Sequence, residues 1–277
     1  MYCYTYSIPL HPSPIGLSMR QGIILETEKG WGEAAPLTGF SKDPLDSLVF
    51  ALRSCLEPFP THYPKIRLNA LASTPKEAEQ ALKLGFQTLK YKVKGLSPET
   101  AAKNISHLQS MNARLRIDAN RFWSVEEAKR FLDRLDPKGI EYIEEPIADP
   151  EKLSELPPFP FALDETLLEP NREPLALLPQ ICAFVLKPTL LGQRLDSWIA
   201  LAKAHGKTLT FSSSFESAIG LVQIARLQEV HAPETAAGLD TYRSFKENFL
   251  PFPIAEGALL PQPIPLIDRS WLTKIAP

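Results

Sequence analysis

Leu89-Lys90-Tyr91-Lys92-Val93-Lys94, Ser97-Pro98-Glu99 and Leu115-Arg116-Ile117-Asp118 follow one another in the chain. They read as a strand, a helix start and a second strand. Side chains alternate across a strand, so Leu89, Tyr91 and Val93 share one face and the lysines the other. Ser97 supplies a side-chain oxygen for free helix N–H groups, and Pro98 fits the first helical position. Ala101, Ile105 and Leu108 then recur at the spacing of one buried helix face. A strand, a covering helix and another strand of this length predict a parallel sheet with crossover helices.

The same alternation extends both ways. Ile66 to Leu71 reads as a strand before it, followed by the capping box Thr74-Pro75-Lys76-Glu77 and a helix carrying Ala78, Ala81 and Leu82. Ser124-Val125-Glu126-Glu127 is a second capping box, and its helix stops at Pro137 and Gly139. Ile140 to Glu144, Phe161 to Asp164, Cys182 to Lys187 and Thr208 to Phe211 read as further strands, with Ala236 to Leu239 closing the set. Helices are expected near Leu175, around Trp198-Ile199 and over Ile219 to Leu227. This succession fits one α/β barrel better than a doubly wound sheet with a second domain. Residues 1–65 break the rhythm and contain a hairpin, Gln21 to Glu26 turning at Lys29-Gly30 into Trp31-Gly32-Glu33. They are expected to form a small α+β cap, completed by the proline-rich tail 243–277, around a barrel of residues 66–242.

Composition narrows the function. With 44% hydrophobic and 22% charged residues the 277-residue chain is ordinary globular material, so disorder is not expected. A net charge of -2 without a basic run gives no footprint for nucleic acid or an anionic membrane. No leader-like N-terminus and no membrane-length apolar run are seen, which predicts a cytoplasmic protein acting on a small molecule. Monomer and homo-oligomer fit equally. Cys3, Cys55 and Cys182 are too far apart for a Cys-x-x-Cys site and read as buried thiols. The five scattered histidines lack ligand spacing, so any metal has to be held by carboxylates, which suits a hard cation.

Strands covered on both faces should be apolar, so charges within them need a reason. Lys90 and Lys92 share a face, as do Arg116 and Asp118; Glu144, Asp164 and Lys187 sit at the C-terminal ends of their strands, where barrels build active sites. For any one of these acids the simpler reading is a residue capping a turn. Three converging on one mouth would repel unless a cation lay among them. Asp118, Glu144 and Asp164 therefore read as an all-oxygen Mg²⁺ site, with Lys92 and Lys187 facing each other across it. Lys92 is the candidate base, and Lys90 a neighbour that orients it or lowers its pKa. The competing reading makes both lysines structural counter-charges to the acids.

These residues also resemble a known family. Gly85-Phe86-Gln87-Thr88-Leu89-Lys90-Tyr91-Lys92-Val93 is similar to the Lys-x-Lys strand of the muconate-lactonizing subgroup of the enolase superfamily. Arg116-Ile117-Asp118-Ala119-Asn120-Arg121-Phe122-Trp123, Tyr142-Ile143-Glu144-Glu145-Pro146 and Leu163-Asp164-Glu165-Thr166 resemble its three metal-ligand segments. Leu186 to Gly192, Ser212 to Leu221 and Gly238-Leu239-Asp240-Thr241 narrow the resemblance to the o-succinylbenzoate synthase family, and Gly32 to Ser41 resembles its cap. Two departures stand out. Lys94 precedes Gly95 where the subgroup has glycine, implying a bulge or a third charge at the mouth, and the cap is short.

The resemblance implies an enolase-type (β/α)7β barrel with a short α+β capping domain, a Mg²⁺ cofactor that Mn²⁺ can replace, and a small carboxylate substrate. The implied reaction, in menaquinone biosynthesis, dehydrates 2-succinyl-6-hydroxy-2,4-cyclohexadiene-1-carboxylate to 2-succinylbenzoate through an ene-diolate held by the metal. Asp118, Glu144 and Asp164 would be ligands, with Glu145 and Glu165 behind them. Lys92 and Lys187 would be catalytic, supported by Lys90, Arg116 and Asn120, with Arg116 orienting Lys92 or the intermediate. Backbone N–H groups of Ser212, Ser213, Ser214 and Gly238 would hold the succinyl carboxylate. A sister dipeptide epimerase or N-acylamino acid racemase shares the metal and lysines. A Schiff-base lyase using Lys187 and a non-catalytic binding barrel are the readings from other classes.

Overall fold

The computed structural model describes residues 1–12 and 16–275. Buried Tyr4, Tyr6 and Ile8 alternate with more open positions along β1 (Tyr2–Pro9), as a sheet covered on one face requires. β1 pairs antiparallel with β2 (Met19–Glu26), which turns through Thr27 to Gly30 into β3 (Trp31–Ala34), the expected hairpin. Asp43 accepts from the Leu45 N–H and so starts α1 (Pro44–Leu56), whose Ala51 and Cys55 pack with Leu25 and Ala34. Cys55 is buried, whereas Cys3 and Cys182 are only partly so, each packing at the edge of a small buried cluster.

β4 (Ile66–Arg67) and β5 (Asn69–Ala72) follow, then α2 (Pro75–Lys83), β6 (Thr88–Lys92), α3 (Pro98–Gln109), β7 (Arg114–Asp118), α4 (Val125–Leu132), β8 (Ile140–Glu144), β9 (Phe161–Leu163), α5 (Glu173–Ala176), β10 (Ile181–Leu186), α6 (Pro188–Leu191), α7 (Leu195–Ala204), β11 (Thr208–Phe211) and α8 (Ala218–His231). The capping signals act as read. Thr74 and Glu77 close a reciprocal box on α2, Ser124 and Glu127 do so on α4, and Ser97 accepts from the Thr100 N–H on α3. β5 to β11 pair in sequence order as one parallel sheet.

Ala236 to Leu239 does not form a regular strand, contrary to expectation, yet it closes the curled sheet. The Ala237 N–H donates to Arg67 O at 2.8 Å and the Asn69 N–H to Ala237 O at 2.9 Å. On the other side the Gly238 N–H reaches Phe211 O at 2.9 Å and the Ser213 N–H reaches Gly238 O at 3.0 Å. The ladder stops there because a side chain takes over: the Leu71 N–H donates to Asp240 Oδ2 at 2.8 Å. The seam is tight, since a Cβ on Gly238 would stand 2.5 Å from Ser212 Oγ.

The tail divides its contacts. β12 (Ile254–Ala255) and β13 (Ala258–Leu259) form a hairpin paired to β4, against the barrel rather than the cap, while β14 (Leu272–Lys274) pairs with β1. The Ile275 N–H then bonds Cys3 O at 2.9 Å, bringing the chain's two ends together. Among the described residues no helix is long and apolar enough to cross a membrane.

Candidate active site

Strand register places the charged residues. Lys92 stands beside Asp118 and Asp118 beside Glu144, so three neighbouring strands end in ionisable side chains. Asp164 follows β9 directly and Lys187 follows β10. All except Glu144 line one cavity of about 420 Å³ at the C-terminal end of the barrel, with Leu37 and Phe40 of the cap and Ser212 to Phe215 of the barrel at its sides. Glu144 lies just beneath, fully buried.

The acids are compensated by ammonium groups. Lys90 Nζ lies 2.5 Å from Glu144 Oε1 and 3.1 Å from Asp118 Oδ2. Lys92 Nζ is 3.6 Å from Asp118 Oδ2 and donates to Asn120 Oδ1 at 3.4 Å, while Lys187 pairs with Asp164. Burial pulls the Lys187 pKa down, but Asp164 and Glu165 outweigh it and hold it above the ordinary lysine value. Lys90 is likewise raised, by Asp118 and Glu144 against its burial. Lys90 thus spends its charge on the acids.

Buried polar atoms normally find partners, so those that do not are informative. Glu144 Oε2, Asp164 Oδ1 and Glu165 Oε2 are buried and unpaired. Among the described residues no three His, Cys, Asp or Glu side chains are gathered as a metal site; Glu144 and Asp164 pair instead with Lys90 and Lys187. The donor set nonetheless fits a hard dication: every candidate ligand atom is oxygen, and Glu144 and Asp164 each keep one oxygen uncommitted. Burial, then Asp164, pushes the Glu165 carboxyl up to about 7, so it too would favour a nearby cation.

Behind these groups stands Glu145, where the resemblance put it, in a network whose other members, Thr166, Arg121 and Glu169, the sequence reading did not assign. Glu145, at φ 46°, accepts from the Asp164 and Thr166 N–H groups and from Thr166 Oγ1, each at 2.8 Å, and from Arg121 Nε at 2.9 Å. Arg121 also reaches Glu169 at 2.6 Å. Asn120 and Arg121 share the left-handed backbone, at φ 48° and 56°. Strain of this kind persists only where surrounding bonds over-determine it. Its result is that Asp164 is fixed through its own amide.

Two expectations need correction. Arg116 does not meet Lys92: it donates to Glu141 at 2.7 Å, Asn69 at 3.0 Å and Ala236 O at 2.7 Å, because it sits a strand layer lower than Asp118. The backbone N–H groups of Ser212, Ser213, Ser214 and Gly238 are all committed, to Leu186 O, Gly238 O, Glu216 Oε2 and Phe211 O, leaving none for a carboxylate. Of the two outcomes read for Lys94, a bulge or a third charge at the mouth, the structure shows the second. β6 ends at Lys92, and Val93 to Leu96 form a turn closed by Leu96 N–H to Val93 O at 3.0 Å, with Gly95 at φ 86° and Lys94 exposed on the rim.

Comparison with known proteins agrees with this geometry. The Enolase C-terminal domain-like family model matches residues 73–263. The o-succinylbenzoate synthase of Haemophilus influenzae is 31% identical, over 98% of this chain and 97% of that one. Its counterpart from Pasteurella multocida is 30% identical over 86% and 88%. Among solved structures, the o-succinylbenzoate synthase of Thermosynechococcus elongatus BP-1, complexed with Mg in its active site, aligns with TM-score 0.70 at 24% identity over 90% of this chain and 95% of that one. The L-Ala-D/L-Glu epimerase of Bacillus subtilis gives 0.74 at 17% identity, over 95% and 96%. At these identities the structures speak for the fold, and the sequence matches speak for the family. The chain belongs to the enolase superfamily and, within it, to the o-succinylbenzoate synthase family.

Proposed function

We propose that this enzyme dehydrates 2-succinyl-6-hydroxy-2,4-cyclohexadiene-1-carboxylate to 2-succinylbenzoate, in menaquinone biosynthesis. The observation that carries the reading is the pair of unpaired, buried oxygens on Glu144 and Asp164, flanked by Lys92 and Lys187. Bound by Asp118, Glu144 and Asp164, Mg²⁺, or Mn²⁺ in its place, would supply positive charge to the substrate's ring carboxylate. Lys92 is the more open of the two catalytic lysines, its side chain 29% exposed against 13% for Lys187. It takes the proton from the carbon beside the ring carboxylate. It then returns that proton to the departing hydroxide, which leaves as water. Lys187, held as an ammonium by Asp164 and Glu165, lends charge as the carboxylate grows more negative. Asn120 steadies Lys92, and Glu145 steadies Asp164. The succinyl arm would lie along Ser212, Ser213 and Ser214, whose hydroxyl groups would have to turn from Gly238 O and Glu216 to meet its carboxylate.

The test is an assay on the cyclohexadiene substrate with Mg²⁺, following the absorbance of the new aromatic ring. Turnover that EDTA abolishes and Mg²⁺ restores, with the circular dichroism of the fold unchanged, is expected, because a barrel core does not depend on one mouth cation. Metal-dependent epimerisation of dipeptides or N-acylamino acids without any dehydration would replace this reading with the sister activity.

A further inference from the structure

Arg20 is 3% exposed, yet among the described residues it has no carboxylate partner. Its guanidinium is spent on carbonyl oxygens: Nε donates to Phe215 O at 2.8 Å, Nη1 to Pro36 O at 2.9 Å, and Nη2 to Ala35 O. Burying a guanidinium costs stability unless its donors are well used, and an apolar side chain would serve plain packing better. The three carbonyls lie on two separate segments. Ala35 and Pro36 lead in the cap to Leu37 and Phe40, and Phe215 lies within the loop between β11 and α8; Leu37, Phe40 and Phe215 all line the cavity. Phe215 is held at φ 64°, a conformation that a bulky residue adopts only under constraint.

A second tie fixes the same loop. Glu33, fully buried on β3, accepts from the Ser217 and Gly220 N–H groups at 2.9 Å and from Ser217 Oγ at 2.5 Å, at the start of α8. Glu33 anchors the loop's far end, which leaves Arg20 to set the part that faces the cavity.

We infer that Arg20 is a positioning residue for the substrate pocket: it clamps the cap segment Ala35–Pro36 to Phe215, so that Leu37, Phe40 and Phe215 form one apolar wall against the non-reacting end of the substrate. The kinetic side of this inference rests on the proposed activity. The mechanical side does not.

Arg20→Met keeps the apolar stem and removes every donor. Amide hydrogen exchange of the variant is expected to rise in residues 35–40 and 212–217 together, with the rest of the barrel and Mn²⁺ affinity unchanged. KM for the cyclohexadiene substrate should rise about tenfold or more while kcat changes little, the pattern of lost uniform binding. In Arg20→Ala, added guanidinium ion should lower KM again and methylammonium should not. Arg20→Lys keeps the charge but cannot span three carbonyls, so it should behave as Arg20→Met does, and it stands in for that variant if Met misfolds. Exchange that rises in only one segment, or in neither, overturns the clamp, as does a fall in kcat at unchanged KM. If the wild type does not turn over the substrate, the proposed activity fails while the exchange measurement still decides the clamp.

Discussion

Arg116 and Asp118 lie on one face of β7 and are each 1% exposed, but their surroundings are opposite in kind. Arg116 has its charge answered: Glu141, Asn69 and Ala236 O accept from its Nε and Nη1, and the Tyr142 ring lies 5.2 Å from its guanidinium carbon. One layer up, three carboxylates share lysine ammoniums and still leave Glu144 Oε2 and Asp164 Oδ1 without partners. A buried charge alone therefore does not mark function. A buried charge with unused bonding capacity does, because the fold gains nothing from leaving it so.

The largest effect separating the layers is on turnover. Lys92→Ala is expected to lower kcat by about 10²–10⁴-fold, the range for a lost proton-transfer group, with an unchanged melting curve. Lys187→Ala should lose activity on a similar scale, since a charge aimed at the reacting carboxylate is removed. Steady-state rates on the cyclohexadiene substrate, beside circular dichroism melts, check both. A Lys92→Ala enzyme within tenfold of wild type would move the base elsewhere.

The next effect is on stability and should differ between the layers. Arg116→Met strands Asn69 Oδ1 and Ala236 O without their donor, and a loss of about 3 kcal/mol follows. Glu144→Gln removes a negative charge that burial already disfavours, pushing its carboxyl well above the carboxylate range against the pull of Lys90. With EDTA present, its stability should stay within about 1 kcal/mol of wild type or exceed it. Urea midpoints decide the matter: equal losses in both variants would erase the distinction between the layers.

Local signals carried most of the fold. The capping boxes at Thr74 and Ser124, the strand Ile140 to Glu144 and the cap hairpin were legible because each is decided by a few adjacent residues. The acids and lysines at the strand ends were legible as charges in apolar runs. The closing segment Ala236 to Leu239 was placed, but its irregular form was not legible, since it is held by single bridges and by Asp240 in place of a ladder. Alternation put Arg116 on the same face as Asp118, but period two does not say which layer faces the mouth. Arg20 was also invisible, as an arginine between Met19 and Gln21 reads as solvent-facing. Glu33, an acid set among Gly32, Ala34 and Ala35, was the nearest available hint of a buried polar junction.

The smallest expected effect tests the boundary of the upper layer. Lys94 is exposed at the second position of the turn that follows β6, while Lys90 and Lys92 point inward from the strand. It lines the cavity rim without an ion pair among the described residues, so its contribution to the proposed substrate, which carries two carboxylates, would be long-range attraction. Such attraction is screened over about 8 Å at physiological salt. Lys94→Ala should therefore leave kcat unchanged and lower kcat/KM by less than about threefold at low salt, with the difference vanishing as salt rises. An inactive Lys94→Ala beside an active Lys92→Ala would instead shift the functional lysine pair to Lys92 and Lys94, and the upper layer would begin one turn later than the strand register places it.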